Sequence, residues 1–143
     1  AEDNVRAHGL GARVRVAAGD LLAPLSERGV RVDLLVANLP YLPSALIRSL
    51  PEEVRAWEPR LALDGGPDGM GVLRRLIGGV ASVLRPGGMV LLEIGEDQAG
   101  AIASLMAAEG LGGIRSRLDL NGVERYVAGQ WPAAGAHVRG GGR

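Results

Sequence analysis

The chain contains no cysteine, no lysine and no phenylalanine, and its two histidines, His8 and His137, stand near opposite ends of its 143 residues. Without cysteine there is no disulfide, no thiolate metal site and no thiol nucleophile, a composition that agrees with a reducing cytoplasm. Two distant histidines argue against a His-based metal centre and against a Ser-His-Asp triad, so no metal is expected. No apolar run approaches the roughly 20 residues that a membrane-spanning helix needs, and no basic-then-apolar signal opens the chain. A net charge of one sign is also missing: sixteen arginines balance sixteen acidic residues. Scattered arginines on a neutral chain supply no basic stripe for nucleic acid and no field toward an anionic membrane.

What is present is enough apolar content for one core, 47% of the residues. A single domain of this size can bury roughly two-thirds of its unfolded surface. The opening Ala1–Gly9 reads as the tail of a helix stopped by a glycine cap, as if the chain began within a domain. Arg13–Ala18 alternates polar and apolar residues and predicts a strand feeding Gly19-Asp20. Val32–Ala37 is a short apolar run of the kind that forms a buried parallel strand. Leu42–Glu58 fits two short helices opened by Pro43-Ser44 and by Pro51-Glu52-Glu53.

Gly65-Gly66-Pro67-Asp68-Gly69 lacks the Lys-Ser/Thr of a phosphate cradle and reads as a turn with unusual backbone angles. Helical spacing of Val72, Leu73, Leu76, Ile77, Val80, Val83 and Leu84 predicts a helix over 70–84. Arg85-Pro86-Gly87-Gly88 ends it, and Met89–Gly95 follows as a second buried strand. A helix over 99–109 stops at Gly110, and Asn121-Gly122 between two strand patterns predicts a hairpin. Residues 1–129 therefore form the folded portion, and 130–143, rich in Gly and Ala, a disordered tail.

The junction Asn38-Leu39-Pro40-Tyr41, directly after the run ending at Ala37, carries the functional signal. Ligands of open α/β sheets bind beyond the carboxyl ends of parallel strands. There the tetrad offers a carboxamide, a main-chain carbonyl held by the following proline, and an aromatic face, which together can grip a planar group bearing an NH2. The bland alternative is turn punctuation at a strand end. Asn38-Leu39-Pro40-Tyr41, Glu58–Leu63 with Gly65–Gly69, Leu91–Gly95 with Gln98, and Asp119 with Gly122 and Arg125 occur in the order seen in the release-factor glutamine methyltransferases, and the chain resembles that family from about Ala1 to Ala128. The resemblance implies an α/β, Rossmann-like class I methyltransferase sheet, mostly parallel with a C-terminal antiparallel hairpin and truncated at its N-terminus. The family usually has Pro where Leu39 stands, but the contact implied there is a backbone carbonyl, which any residue supplies. Its Gly-rich cofactor loop and its N-terminal helical domain find no counterpart in these residues.

The resemblance implies S-adenosyl-L-methionine as cofactor and a peptide chain release factor as protein substrate. It makes Asn38, Leu39, Pro40 and Tyr41 the catalytic set, with Asn38, Leu39 and Tyr41 holding the target glutamine. Asp20 and Leu21, with Asn38, fall on the cofactor side, near the adenine amino group and ring; a turn or helix cap is the alternative for Asp20. Glu58 and Pro59 read as a helix end supporting the loop, Glu93 as either a cleft residue or a partnered carboxylate, and Asp119 with Arg125 as a cross-strand pair. Two other readings stay open: an adenine-amino methyltransferase acting on nucleic acid, and a truncated domain that binds no cofactor alone.

Overall fold

The computed structural model describes residues 1–135. Along the chain come α1 (Glu2–Ala7), α2 (Ala23–Ser26), β1 (Val32–Asn38), a 3-10 turn (Leu46–Ser49), α3 (Glu52–Trp57), α4 (Arg60–Leu63) and α5 (Gly71–Gly79). After a second 3-10 turn (Val80–Ser82) follow β2 (Leu84–Glu93), α6 (Ala99–Ala108), β3 (Gly112–Leu118) and β4 (Glu124–Gln130). The strands form one sheet in the order β1-β2-β4-β3. β1 runs parallel to β2, and β4 pairs antiparallel with both β2 and β3.

One face of this sheet is packed and the other is open. Leu73, Leu76 and Ile77 of α5 and Ile102 and Met106 of α6 meet Val90 and Leu92 of β2 and Val127 of β4 in a single buried cluster. Burying each such side chain contributes about 1.5–3 kcal/mol, so these contacts hold the layer together. On the opposite face Leu34, Val36, Met89 and Tyr126 are exposed. Alternation along β1 turns Leu35 and Ala37 toward the core and leaves Val36 and Asn38 outward.

Three expectations are corrected. Arg13–Ala18 is not a strand; it leaves a turn at Arg13 and continues as irregular, exposed chain without ladder partners, Val14 and Val16 included. An alternating pattern makes a strand only where a neighbour accepts its hydrogen bonds, and among the described residues β1 is paired on the β2 side alone. The helix expected over 70–84 leaves α geometry at Gly79, tightens into the 3-10 turn, and gives way to strand at Leu84. Pro86 explains this stop, since it has no N–H to donate and disfavours helix in the residue before it.

β2 accordingly begins before the expected Met89. Arg85-Pro86-Gly87-Gly88 is a bulge inside it, because Val32 pairs with Leu84 while Leu34 already pairs with Met89. The third correction concerns the start of the tail. β4 runs to Gln130, Trp131 N–H donates to the Gly88 carbonyl at 2.7 Å, and Gly87 N–H donates back to Trp131 and Pro132. Trp131 also packs against the core. Residues 136–143 of the expected tail lie outside the described residues.

α6 and the hairpin match the reading of the residues. Gly110 follows α6 with φ +89°, and Gly122 sits in the hairpin turn at φ +79°. Gly122 N–H closes a turn on the Asp119 carbonyl at 3.1 Å, and Asp119 N–H closes the ladder on Val123 at 2.8 Å. That is a type I turn followed by a left-handed glycine. Asp119 and Arg125 pair at 3.5 Å, as expected.

Candidate active site at the end of the first strand

β1 ends at Asn38, the residue opposite Glu93 in the parallel ladder. Its side chain is exposed at the rim of the sheet rather than folded into the core. Asn38, Leu39, Pro40, Tyr41 and Leu42 line a cavity of about 200 Å³ with Ala62 and Leu63 of α4. Ligand pockets begin at about 300 Å³, so this space suits the end of a side chain rather than a whole nucleoside. All four residues of the tetrad thus meet at one concavity. Leu39 and Tyr41 also lean on the core, half-buried.

The segment behind the tetrad is built from the Gly65–Gly69 loop. Leu42 N–H donates to the Leu63 carbonyl at 3.1 Å, Gly65 N–H to Leu42 at 2.9 Å and Ser44 N–H to Gly66 at 2.9 Å. Asp64 anchors this ladder. Its Oδ1 accepts the Ser44 hydroxyl at 2.5 Å and the Gly66 N–H at 3.0 Å, while Oδ2 takes Arg60 Nε at 3.1 Å. The Ser44 hydroxyl, then the Gly66 amide, then Arg60 hold the Asp64 carboxyl below its ordinary value.

The expected glycine angles are present, with Gly66 at φ +94° and Gly69 at φ +73°. A Cβ on Gly65 would lie 2.8 Å from the Pro40 carbonyl oxygen, and one on Gly69 only 2.3 Å from that of Tyr41. Glycine is needed there to let two backbones touch. At the exit of the loop Asp68 receives Met70 N–H at 3.0 Å and an ion pair from Arg74. The Arg74 hydrogen bond, with the Met70 amide, lowers Asp68 to about 2. α5 begins directly after this clamp, so the helix carries the loop that carries the tetrad.

The remaining expected site residues lie apart from that cavity. Asp20 is exposed on the turn before α2 and pairs with Arg75 of α5. Its side chain caps no helix, because α2 starts from Leu22 without a side-chain cap. Leu21 adopts φ +49°, an uncommon angle for a leucine, and packs beside the core. Arg75 and the Gly65–Gly69 loop belong to the same stretch of chain, so α5 links the Asp20 turn to the tetrad. Glu58 closes α3 and Pro59 opens α4, the supporting role expected of them. Glu93 is half-buried beside Asn38 in the ladder and has no ion pair among the described residues.

Reading the residues gave no role to Asp64, took Ser44 only as part of a helix opening, and met Gln98 only within the family resemblance. Asp64 could have been found from Asp-Gly-Gly, a side chain folding onto the amide two residues on. Gln98 receives no such local signal. Its Oε1 accepts Gly95 N–H at 2.8 Å and its Nε2 donates to the Tyr41 carbonyl at 3.0 Å.

No family model matches the chain. It is 54% identical over 110 residues to the release factor glutamine methyltransferase of Moorella thermoacetica, a match that takes in 77% of this chain and 38% of that protein. It is 41% identical over 134 residues to the identically named protein of Cereibacter sphaeroides, covering 94% and 47% respectively. The chain therefore spans less than half the length of these curated relatives. Its backbone also follows the crystal structure of the release factor-specific protein-(glutamine-N5) methyltransferase of Alicyclobacillus acidocaldarius, with a TM-score of 0.50 and 28% identity over 78% of this chain and 55% of that one. With the tetrad at the carboxyl end of a parallel strand and its backing loop in place, the chain belongs to the release factor glutamine methyltransferase family and to the class I methyltransferase fold.

Proposed function

We propose that the protein carrying this chain transfers a methyl group from S-adenosyl-L-methionine to the side-chain amide nitrogen of a glutamine in a peptide chain release factor. The observation that carries this reading is the exposed Asn38 carboxamide at the strand end, in one cavity with Leu39, Pro40 and Tyr41. Residues 1–129, with Gln130 and Trp131 completing the sheet and its packing, then form the C-terminal portion of the catalytic domain, and the work is done in the cytoplasm, where release factors act. Release factor is the partner rather than nucleic acid, because the arginines are dispersed on a neutral chain.

An amide nitrogen is a poor nucleophile because its lone pair is delocalised into the carbonyl. Orientation therefore has to do what basicity cannot, and positioning lowers a barrier by on the order of several kcal/mol. Asn38 Oδ1 accepts one N–H of the glutamine amide and the Leu39 carbonyl accepts the other. Two acceptors fix the amide plane and turn the face of its nitrogen toward the methyl donor. Tyr41 walls the cavity against the flat amide, and Pro40 holds the peptide between the two acceptors. Because Asn38 is exposed, the proton given up by nitrogen can pass from its oxygen to solvent. No residue of the tetrad needs to change charge at neutral pH.

The residues present fit the cofactor at its adenine end. Arg75 occupies one Asp20 oxygen, Oδ2, and Oδ1 remains to accept from an exocyclic amino group. Leu21 offers an apolar neighbour for the ring. When bound, S-adenosyl-L-methionine supplies the electrophilic methyl group.

Methylation of release factor by the whole gene product, wild type against Asn38→Ala, tests the assignment. Losing one preorganised hydrogen-bonding group at a reacting centre costs about 10²–10³ in rate. An Asn38→Ala protein as active as wild type would overturn the role given to this residue.

A further inference from the structure

The carbonyl of Tyr41 is held from behind by one side chain, that of Gln98. Gln98 stands at the entrance of α6, 57 positions further along the chain, and its carboxamide makes two hydrogen bonds of opposite sense. It accepts from the Gly95 amide at 2.8 Å and donates to the Tyr41 carbonyl at 3.0 Å. The fit around it is tight. A Cβ on Gly95 would approach Gln98 Oε1 to 3.1 Å and the Tyr41 ring to 3.2 Å, and one on Gly69 would approach Gln98 Nε2 to 3.0 Å. Gly69 and Gly95 are both buried, so this carboxamide fills the space their missing side chains leave.

The far end of the link is equally fixed. Ile94 N–H donates to the Arg125 carbonyl at 3.0 Å, the Arg125 guanidinium donates to the Ile94 carbonyl at 3.3 Å, and Asp119 pairs with Arg125 from the hairpin turn. Turn, hairpin strand, the end of β2 and the tetrad are thus joined through successive hydrogen bonds. On the exposed side of this strut lies a cavity of about 490 Å³, bordered by Tyr41, Gly95, Gln98 and Arg125. Tyr41 forms a wall shared with the smaller cavity around Asn38.

We infer that Gln98 is a positioning residue for the tetrad: its carboxamide sets the Tyr41 carbonyl, and through the Pro40 peptide the aim of the Leu39 carbonyl and the Asn38 amide. This rests on the function proposed above. It adds a residue that touches neither glutamine nor cofactor yet decides the geometry in which they meet. A donor is required toward Tyr41 and an acceptor toward Gly95, and a neutral carboxamide supplies both in one planar group.

Gln98→Glu separates these two demands. It has nearly the same shape, keeps the acceptor for Gly95, and at neutral pH sets a carboxylate against the Tyr41 carbonyl. Protonation restores an O–H that can donate to it. In the whole gene product, Gln98→Glu should lower kcat for release factor methylation by about 10²-fold at pH 8, the scale of a displacement of about 1 Å. KM for the cofactor should stay unchanged. The deficit should shrink as pH falls toward 5, measured against wild type at each pH, whereas Gln98→Leu stays slow throughout.

Amide hydrogen exchange gives a reading independent of turnover. Gln98→Glu at pH 8 should speed exchange at Leu42 and Ser44 while leaving Gly95 protected, and Gln98→Leu should expose Gly95 as well. A Gln98→Glu protein that matches wild type in rate and exchange at pH 8, or a deficit that does not recover in acid while the protein stays folded, overturns the inference. If wild type methylates no glutamine yet Gln98→Glu loosens Leu42 and Ser44, the proposed function fails and the positioning role stands. If Asn38→Ala abolishes methylation while Gln98→Glu is silent, the function stands and the positioning role fails.

Discussion

Replacing Gly69 by alanine attacks the point where the backing loop touches the tetrad. Two effects add at this position. Gly69 sits at φ +73°, and holding an ordinary residue in the left-handed region costs about 1–2 kcal/mol. The new Cβ would also lie 2.3 Å from the Tyr41 carbonyl oxygen and 3.0 Å from Gln98 Nε2, so backbone must move. Forcing extra atoms into a packed site costs about 1–3 kcal/mol, giving a total of about 2–5 kcal/mol. Gly122→Ala is the control. Gly122 has nearly the same angle, φ +79°, but a Cβ there meets nothing within 4 Å. It should lose only the conformational part. With a urea slope of about 2 kcal/mol/M, Gly69→Ala should lower the unfolding midpoint by roughly 1–2.5 M and Gly122→Ala by roughly 0.5–1 M. Methylation should fall in Gly69→Ala and persist in Gly122→Ala under conditions where both are folded. Equal midpoints for the two variants would refute the claim that backbone contact with Tyr41, rather than the glycine angle, governs this loop.

Truncating Leu92, fully buried where β2 meets both helices, to alanine should cost about 2–5 kcal/mol by the same denaturation assay. Acid should weaken the protein in a defined window. Asp64, Asp68 and Asp119 all have folded-state values below the ordinary 3.8, with Asp68 at about 2 under its hydrogen bond from Arg74. A carboxyl depressed by folding stabilises the native state above the unfolded value and ceases to do so as pH falls through the folded one. The thermal midpoint should therefore decline between pH 4 and pH 2, and Asp68→Asn should decline less steeply over that interval when scanned beside wild type.

Much of the packed layer was legible because its local signals agree. α6 has an apolar stripe and a glycine stop, and the hairpin has Asn121-Gly122 between alternating strands. Two misreadings have separate causes, and in the first of them apolar spacing reports burial and not backbone angle. Val80, Val83 and Leu84 are buried as the helical periodicity requires, yet the chain has left α geometry by Val80. Arg13–Ala18 alternates well but finds no strand to pair with. At the site, Asn38 to Tyr41 could be picked out because the four residues are consecutive in the chain and line one cavity. The contacts that hold them could not, since Ser44 meets Asp64 across 20 positions and Gln98 meets Tyr41 across 57. Pairings of that range are created by the fold, and no local spacing announces them.

The exposure of Asn38 itself depends on a feature remote from it. Side chains alternate across a strand, so a slip of one residue in β1 would turn Asn38 toward the core and Val36 with it. Register is set where the β1–β2 ladder begins: Val32 faces Leu84, the Arg85–Gly88 bulge follows, and Leu34 resumes opposite Met89. Gly87 at φ +79° and the bonds from Gly87 and Trp131 lock that bulge in place. From Leu34 onward the pairing is continuous to Asn38 opposite Glu93. The Pro-Gly-Gly segment that looks like a helix stop therefore fixes which face receives the Asn38 carboxamide. Shortening the bulge by one residue should misplace Asn38 while keeping a sheet, and methylation would then be lost with the core still formed.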